Sequence, residues 1–395
     1  MAKDRTIIGV NLSVFLLMVG VGLIVALLPG RILKLSASVS DVGILASAYA
    51  IPSILLQIPI GNLSDRWGFK LFVMGGYLLC AVSGFLYFFA NSAMLYFEGR
   101  FLQGIAEVPI WALTPALLSI QYASDKGKYM GLYNASLHCG LTTGGLFSIV
   151  SHEIWQGNEP FVLFALMGIL GAILTALFVK NPDQVNNDKI AAVNTKGIGA
   201  LLADPKNLVV FSGITLYGAG YGIFITIIPA FLISAKNASQ VSIGIFFALF
   251  YIALSVSQFF AGAWSDRNGR KPAMIFGLSM TALGIAVFHQ CRFPFFMVFL
   301  VLAGLGLGIF CVSSMAYLNE QVPKSQKGTM SGAFYFFWGA GYFLGPLLIG
   351  RIGSLINFHL GFFIFSIMAM LQLLAIGYFI KESSRNLPKF MKGNI

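Results

Sequence analysis

GNLSDRWGFK, from Gly61 to Lys70, returns 201 residues later as GAWSDRNGRK, from Gly262 to Lys271. Gly61, Ser64, Asp65, Arg66 and Gly68 fall on Gly262, Ser265, Asp266, Arg267 and Gly269. The same register holds on both sides. Gly43 falls on Gly244 and Gln57 on Gln258, while Ser124, Lys126, Gly127 and Gly131 fall on Ser325, Lys327, Gly328 and Gly332. Gly140 and Gly144 fall on Gly341 and Gly345, and near the start an offset of 200 carries Gly20, Gly22 and Pro29 onto Gly220, Gly222 and Pro229. So many matches at nearly one offset make the chain two homologous halves in the same orientation.

The composition says what each half is made of. Of 395 residues, 57% are hydrophobic and 10% charged, against about 25% charged in soluble domains. Apolar runs of about 20 residues, the length that crosses a bilayer as a helix, recur at 7–29, 42–61, 71–90, 94–120, 129–151 and 160–180, then at 207–233, 241–262, 272–290, 293–319, 329–354 and 358–380. The expected fold is all-α and integral to a membrane, with twelve spans in two six-helix bundles. The expected domains are an N-terminal bundle over 1–180, a cytoplasmic linker over 181–206 and a C-terminal bundle over 207–395 with a short cytoplasmic tail. The first run is too long for a signal-peptide core and is read as a retained span.

Lys and Arg orient the chain. With the N-terminus cytoplasmic, 19 of the 25 fall on the cytoplasmic side; Arg31, Lys34, Lys236, Arg292 and Arg351 fall outside, and Arg100 lies within a span. Both termini are therefore expected inside, at the cell (inner) membrane. The net charge of +11 is a topology signal, not a sign of a nucleic-acid partner, since no basic, aromatic-interleaved patch occurs. Cys80, Cys139, Cys291 and Cys311 lack metal-ligand spacing, so no metal and no cofactor are expected. With no nucleophile–base pair either, an enzyme is not expected.

The two signature stretches resemble the acid–Arg–x–Gly turn of the major facilitator superfamily, and the resemblance covers essentially the whole chain. It implies that the turns latch the halves in one conformational state, through Gly61, Asp65, Arg66 and Gly68 in the first and Gly262, Asp266, Arg267 and Gly269 in the second. Asp65 would then lean towards the start of span eleven near Gly328; a plain charged turn is the alternative. The acid is expected at a helix N-terminus, where it satisfies backbone donors and the dipole.

Span four holds the sharpest signal. At 100° per residue, Arg100, Gln103, Glu107, Trp111 and Thr114 share one arc. A charge at mid-depth costs about 2.5–3.5 kcal/mol on insertion scales and must be paired or face water. Arg100 and Glu107 stand two turns apart, so a water or a substrate is expected to bridge them. RFLQG, Arg100 to Gly104, resembles the fourth-helix motif of drug/proton antiporters, and that resemblance ties the arginine to proton coupling. Glu107, the one acid placed deep in the membrane, is the expected proton carrier; a structural brace is the alternative.

Span five sets Asn134, His138 and Thr142 on one face and Gly140 and Gly144 on the other, the glycine face suited to close helix packing. Asn134 and His138 are candidates for substrate or proton contact. The antiporter pattern G-x8-G-x3-G-P is matched by Gly131, Gly140 and Gly144, but Gly145 stands where proline is expected; span eleven has the full form in Gly332, Gly341, Gly345 and Pro346. In the C-terminal half Tyr217, Tyr221, Tyr251, Gln258, Tyr335, Trp338 and Tyr342 are cavity candidates, as Trp111 and Thr114 are in the N-terminal half. Aromatics with a polar tip suit an amphipathic ligand, with packing as the alternative.

The expected function is proton-coupled export of a small organic or amphipathic compound by alternating access. The expected partners are that substrate, protons and the lipid bilayer, with a monomer as the working unit. A lipid or glycolipid flippase is the main alternative, because GIAEVPIW, Gly104 to Trp111, faintly resembles the corresponding helix there. An importer of a small organic solute and a non-transporting sensor on a transporter fold are the others.

Overall fold

A computed structural model describes residues 5–36, 38–122, 126–155, 157–181, 204–322 and 327–380. The first half contributes α1 (Thr6–Ser36), α2 (Val39–Trp67), α3 (Phe69–Phe89), α4 (Ala93–Gln121), α5 (Lys126–Ile154) and α6 (Glu159–Phe178). The second contributes α7 (Pro205–Ile225), α8 (Ile227–Lys236), α9 (Gln240–Asn268), α10 (Arg270–Phe288), α11 (Phe295–Glu320), α12 (Lys327–Leu355) and α13 (Phe358–Phe379). Eleven of these helices are long and apolar enough to cross a membrane. The remaining span is α5, whose 29 residues make about 43 Å of helix at 1.5 Å per residue but include the polar Asn134, His138 and Thr142. The described residues are thus all-helical, with these eleven candidate spans and α5 as the twelfth.

Span seven departs from the expected single helix. It breaks at Thr226 (φ −129°, ψ −61°) into α7 and α8. Pro229 lacks an N–H and its ring opposes the carbonyl four residues back, that of Ile225, where α7 ends. The equivalent Pro29 lies inside the unbroken α1.

The signature stretches are also more helical than expected. GNLSDRW forms the last turns of α2, and the whole corner into α3 is Gly68, at φ +88° and ψ 147°. Gly269 turns the corner between α9 and α10 in the same way, at φ +97° and ψ 150°. A Cβ is strained at such φ, so glycine is required. Asp65 and Asp266 consequently lie not at an N-terminus but in the last turn of a helix, where a negative charge opposes the dipole. Arg270 offsets this for Asp266 by pairing with it and with Glu320 at 2.7 Å. The side chains of Asp65 and Arg66, and the surroundings of Gly328, lie outside the described residues.

The two corners are secured by the same bonds. Ser64 Oγ donates to Gly61 O (2.7 Å) and Ser265 Oγ to Gly262 O (3.1 Å). Lys70 Nζ donates to Ala176 O (2.6 Å) and Lys271 Nζ to Gly377 O (2.8 Å). In both halves the lysine thus meets the carbonyl end of the last helix, where a cation is favoured. In the first half Asn181 Oδ1 also accepts from the Lys70 backbone N–H at 2.8 Å.

Glycine faces bring first and fifth helices together in each half. Cβ atoms at Gly140 and Gly144 would strike the α1 backbone at Phe15, Val19 and Leu23, and one at Gly341 would strike Thr215 O in α7. Gly22 lies against Leu141 and Gly145, and Gly222 against their counterparts Tyr342 and Pro346.

By packing, the described residues form two units. One draws on Met1–Ile190 with Ile225–Ala248, the other on Ala191–Phe224 with Leu249–Ile395. The first unit therefore takes in α8 and the start of α9. There Gln240 Nε2 donates to Ala26 O at 3.2 Å, and Gly244 sits against Gly145 O, Ser148 and Ile149.

Candidate functional site

Glu107 is the central residue of α4 and only 2% exposed. Its carboxylate accepts three hydrogen bonds. Gln103 Nε2 donates to Oε1 at 2.7 Å, while Tyr49 Oη and Trp111 Nε1 donate to Oε2 at 2.6 and 2.9 Å. Gln103 then turns its own Oε1 outward along the chain, accepting from Arg100 Nη1 at 3.0 Å and Tyr87 Oη at 2.7 Å. The Arg100 guanidinium also lies 4.8 Å from the Tyr49 ring centroid, a cation–π distance.

The helical arc from Arg100 to Trp111 is therefore real, with steps of three and four residues. The expected bridge is not a water or a substrate. Gln103 spans the gap because an amide presents a donor and an acceptor, and so faces the carboxylate with one end and the guanidinium with the other. Arg100 and Gln103 are 3% and 0% exposed. Tyr49 and Trp111, which flank the carboxylate, are half-buried.

Tyr49 from α2 and Tyr87 from α3 were not among the expected site residues. A tyrosine hydroxyl inside an apolar span must find a partner, and that signal was present in the sequence. What brings Tyr49 close is Gly104, where a Cβ would strike Tyr49 O and Pro52 Cγ; α2 and α4 touch there backbone to backbone.

The other candidates scatter. Thr114 is buried, and its hydroxyl meets no hydrogen-bond partner among the described residues. Asn134 is exposed and His138 half-buried, and no hydrogen bond to a described residue joins either to the cluster. Instead α5 reaches α4 through the buried Tyr133, whose hydroxyl donates to Ile110 O at 3.1 Å.

In the second unit the expected aromatics converge on Tyr221. Its ring centroid is 6.5 Å from Tyr217, 5.8 Å from Trp338 and 6.3 Å from Tyr342. Phe250, unanticipated, joins at 5.7 Å. Tyr217, Tyr251 and Tyr342 are buried, so their rings are packed; Tyr335 stands 43% exposed and outside this cluster. Gln258 is half-buried. Among the described residues no group of three or more His, Cys, Asp or Glu is placed to hold a metal ion.

Twelve crossings in two repeated halves, with a buried carboxylate–amide–guanidinium chain at mid-span, define a multi-pass membrane transporter. The chain belongs to the Major Facilitator Superfamily: the family model matches residues 10–211 and again residues 210–392. It is 24% identical over 345 residues to the class B tetracycline resistance protein of Escherichia coli, covering 84% of each chain. It is 25% identical over 351 residues to the proton-coupled antiporter flippase LtaA of Staphylococcus haemolyticus, covering 84% of this chain and 83% of that one. The nucleoside transporter NupG, in a mutant form, superposes with a TM-score of 0.82 at 14% identity, covering 95% of this chain and all of the other; that likeness is one of fold.

Proposed function

We propose that this transporter exports a small organic or amphipathic compound across the cell membrane in exchange for protons, with both termini cytoplasmic and one chain as the working unit. The observation that carries the proposal is the buried carboxylate of Glu107, at the middle of α4, held by three donors, two of them on the half-buried Tyr49 and Trp111. Glu107 takes up and releases the proton. Arg100, linked through Gln103, supplies the compensating positive charge, which a carboxylate at mid-depth needs. The RFLQG motif and the tetracycline resistance relative support export, and the proton-coupled relative supports the coupling. The bilayer halves 1–180 and 207–395, joined by 181–206, rock about the site, with Asp65 and Asp266 and their flanking residues latching one state. The proposed cargo contacts are Asn134 and His138 in the first unit and the half-buried Tyr221 and Trp338 in the second.

The test is reconstitution in liposomes loaded with a pH-sensitive dye. Under an imposed proton gradient, hydrophobic cations and amphiphiles drive proton flux in the wild type, and Glu107→Gln loses it. Equal flux in the mutant leaves Glu107 a brace and removes the assignment. A second reading, lipid or glycolipid flipping, is favoured by the LtaA relative and by GIAEVPIW; movement of a labelled lipid in the same vesicles, with no response to soluble amphiphiles, would replace export with flipping.

A further inference from the structure

Beside the second signature corner lies a groove of about 560 Å³, walled by Trp264 of α9 and by Lys271, Pro272, Ile275, Phe276 and Ser279 of α10. Its volume falls in the range of small-molecule clefts, about 300–1,000 Å³. The walls are apolar, with Trp264 and Phe276 stacked at a slant, ring centroids 5.6 Å apart, and left 37% and 48% exposed. One end carries charge. Lys271 gives one hydrogen to Gly377 O at 2.8 Å, which fixes the ammonium at the mouth, and an ammonium has three to give. Arg267, one turn before, is exposed. Among the described residues, the nearby acids Asp266 and Glu320 are both engaged by Arg270, which leaves Lys271 and Arg267 as the charges at this end.

An apolar trough with a fixed cation at one end matches the two parts of a membrane lipid, an acyl chain and an anionic headgroup. The first half carries a different aromatic pair at its corner, Trp67 and Phe72, stacked with ring centroids 6.1 Å apart. The 201-residue offset puts Leu63 opposite Trp264 and Gly75 opposite Phe276, while Lys70 keeps the clamp.

We propose that this groove binds an anionic phospholipid, its phosphate on Lys271 and one acyl chain along Pro272, Ile275 and Phe276. On the orientation proposed above, the lipid belongs to the cytoplasmic leaflet, where anionic lipids attract basic side chains at about 1 kcal/mol per residue, a factor of about five.

The experiment is native mass spectrometry of the full-length protein in mild detergent, titrated in parallel with phosphatidylglycerol and phosphatidylcholine of the same chains. The wild type retains phosphatidylglycerol about fivefold more strongly. Lys271→Gln brings the two lipids to equal retention, and Trp264→Leu weakens both. Trp264→Leu copies Leu63 and keeps the Lys271 clamp, so it remains informative if Lys271→Gln fails to fold. Equal retention of the two lipids by the wild type overturns the proposal. So does unchanged binding of both in Trp264→Leu, or a preserved preference in Lys271→Gln. The readout does not involve transport, so it stands apart from the test of Glu107.

Discussion

Tyr49 and Glu107, 58 residues apart in sequence, meet at 2.6 Å, hydroxyl to carboxylate, and so tie α2 to α4 at mid-membrane. The tie exists because Gly104 lets the two backbones touch one helical turn away. Any change in α2–α4 spacing therefore acts first on the donor set of the carboxylate, which links packing to the proposed chemistry.

Gly104→Leu tests that link. The added side chain drives against Tyr49 O and Pro52, and overpacking of this kind costs about 1–3 kcal/mol. Proton flux should fall at least as far as in Tyr49→Phe, with a lower melting temperature in detergent. Full flux in Gly104→Leu would show that the α2–α4 contact does not hold the site.

Gln103→Leu removes the amide that joins Arg100 to Glu107. It breaks three side-chain bonds at once in a buried charge network, and losing one partner of such a network costs on the order of 3–5 kcal/mol. Thermal unfolding of the purified protein should show a fall of several degrees, larger than that of Glu107→Gln, whose amide can still accept from Tyr49 or Trp111. The reverse order would mean that Gln103 is not the bridge.

Gly68→Ala and Gly269→Ala strain matching corners, each by roughly 1–3 kcal/mol for a residue held in a disfavoured region. At Gly68 the added Cβ also meets the Asn181 side chain at 2.6 Å and disturbs the Asn181–Lys70 bond, so Asn181→Ala should recover part of the loss in Gly68→Ala. Thermal melting curves decide this, and no recovery in the double variant would remove Asn181 from any role in the corner.

Gly144→Leu and Asn134→Leu change two differently placed residues of α5, one packed on α1 and one exposed. The first pushes a side chain into the α1 backbone at Val19 and Leu23 and should abolish the yield of monodisperse protein. The second replaces an exposed side chain and should leave the yield unchanged. A loss of transport in well-folded Asn134→Leu would assign that face to the cargo.

Much of this was legible in the chain itself. The twelve spans follow from apolar runs and the halves from the 201-residue offset, because both are properties of residue spacing. The arc of α4 was legible for the same reason: i, i+3 and i+4 neighbours share a face. What spacing does not convey is which remote helix supplies a partner. Tyr49 and Tyr87 arrive through interhelical packing, and Gln103 was recognised as polar without its two-sided role. The break at Thr226 escaped because the repeat sets Pro229 beside Pro29, and the same residue bends one copy without interrupting the other. The signature stretch looked like a loop because it is polar; a single positive-φ glycine turns the corner and leaves the rest helical.

That break has a consequence for dividing the protein. The second piece of the seventh span, α8, with the start of α9, packs into the first unit, so the point where the sequence repeats and the point where the packing changes partners do not coincide. A gene cut in the linker would produce an amino-terminal fragment whose Gly145, Ser148 and Ala26 surfaces lack the segment that covers them. The two fragments would be obligate complements, each recovering its fold by lending or receiving that segment, although duplication once made them equals.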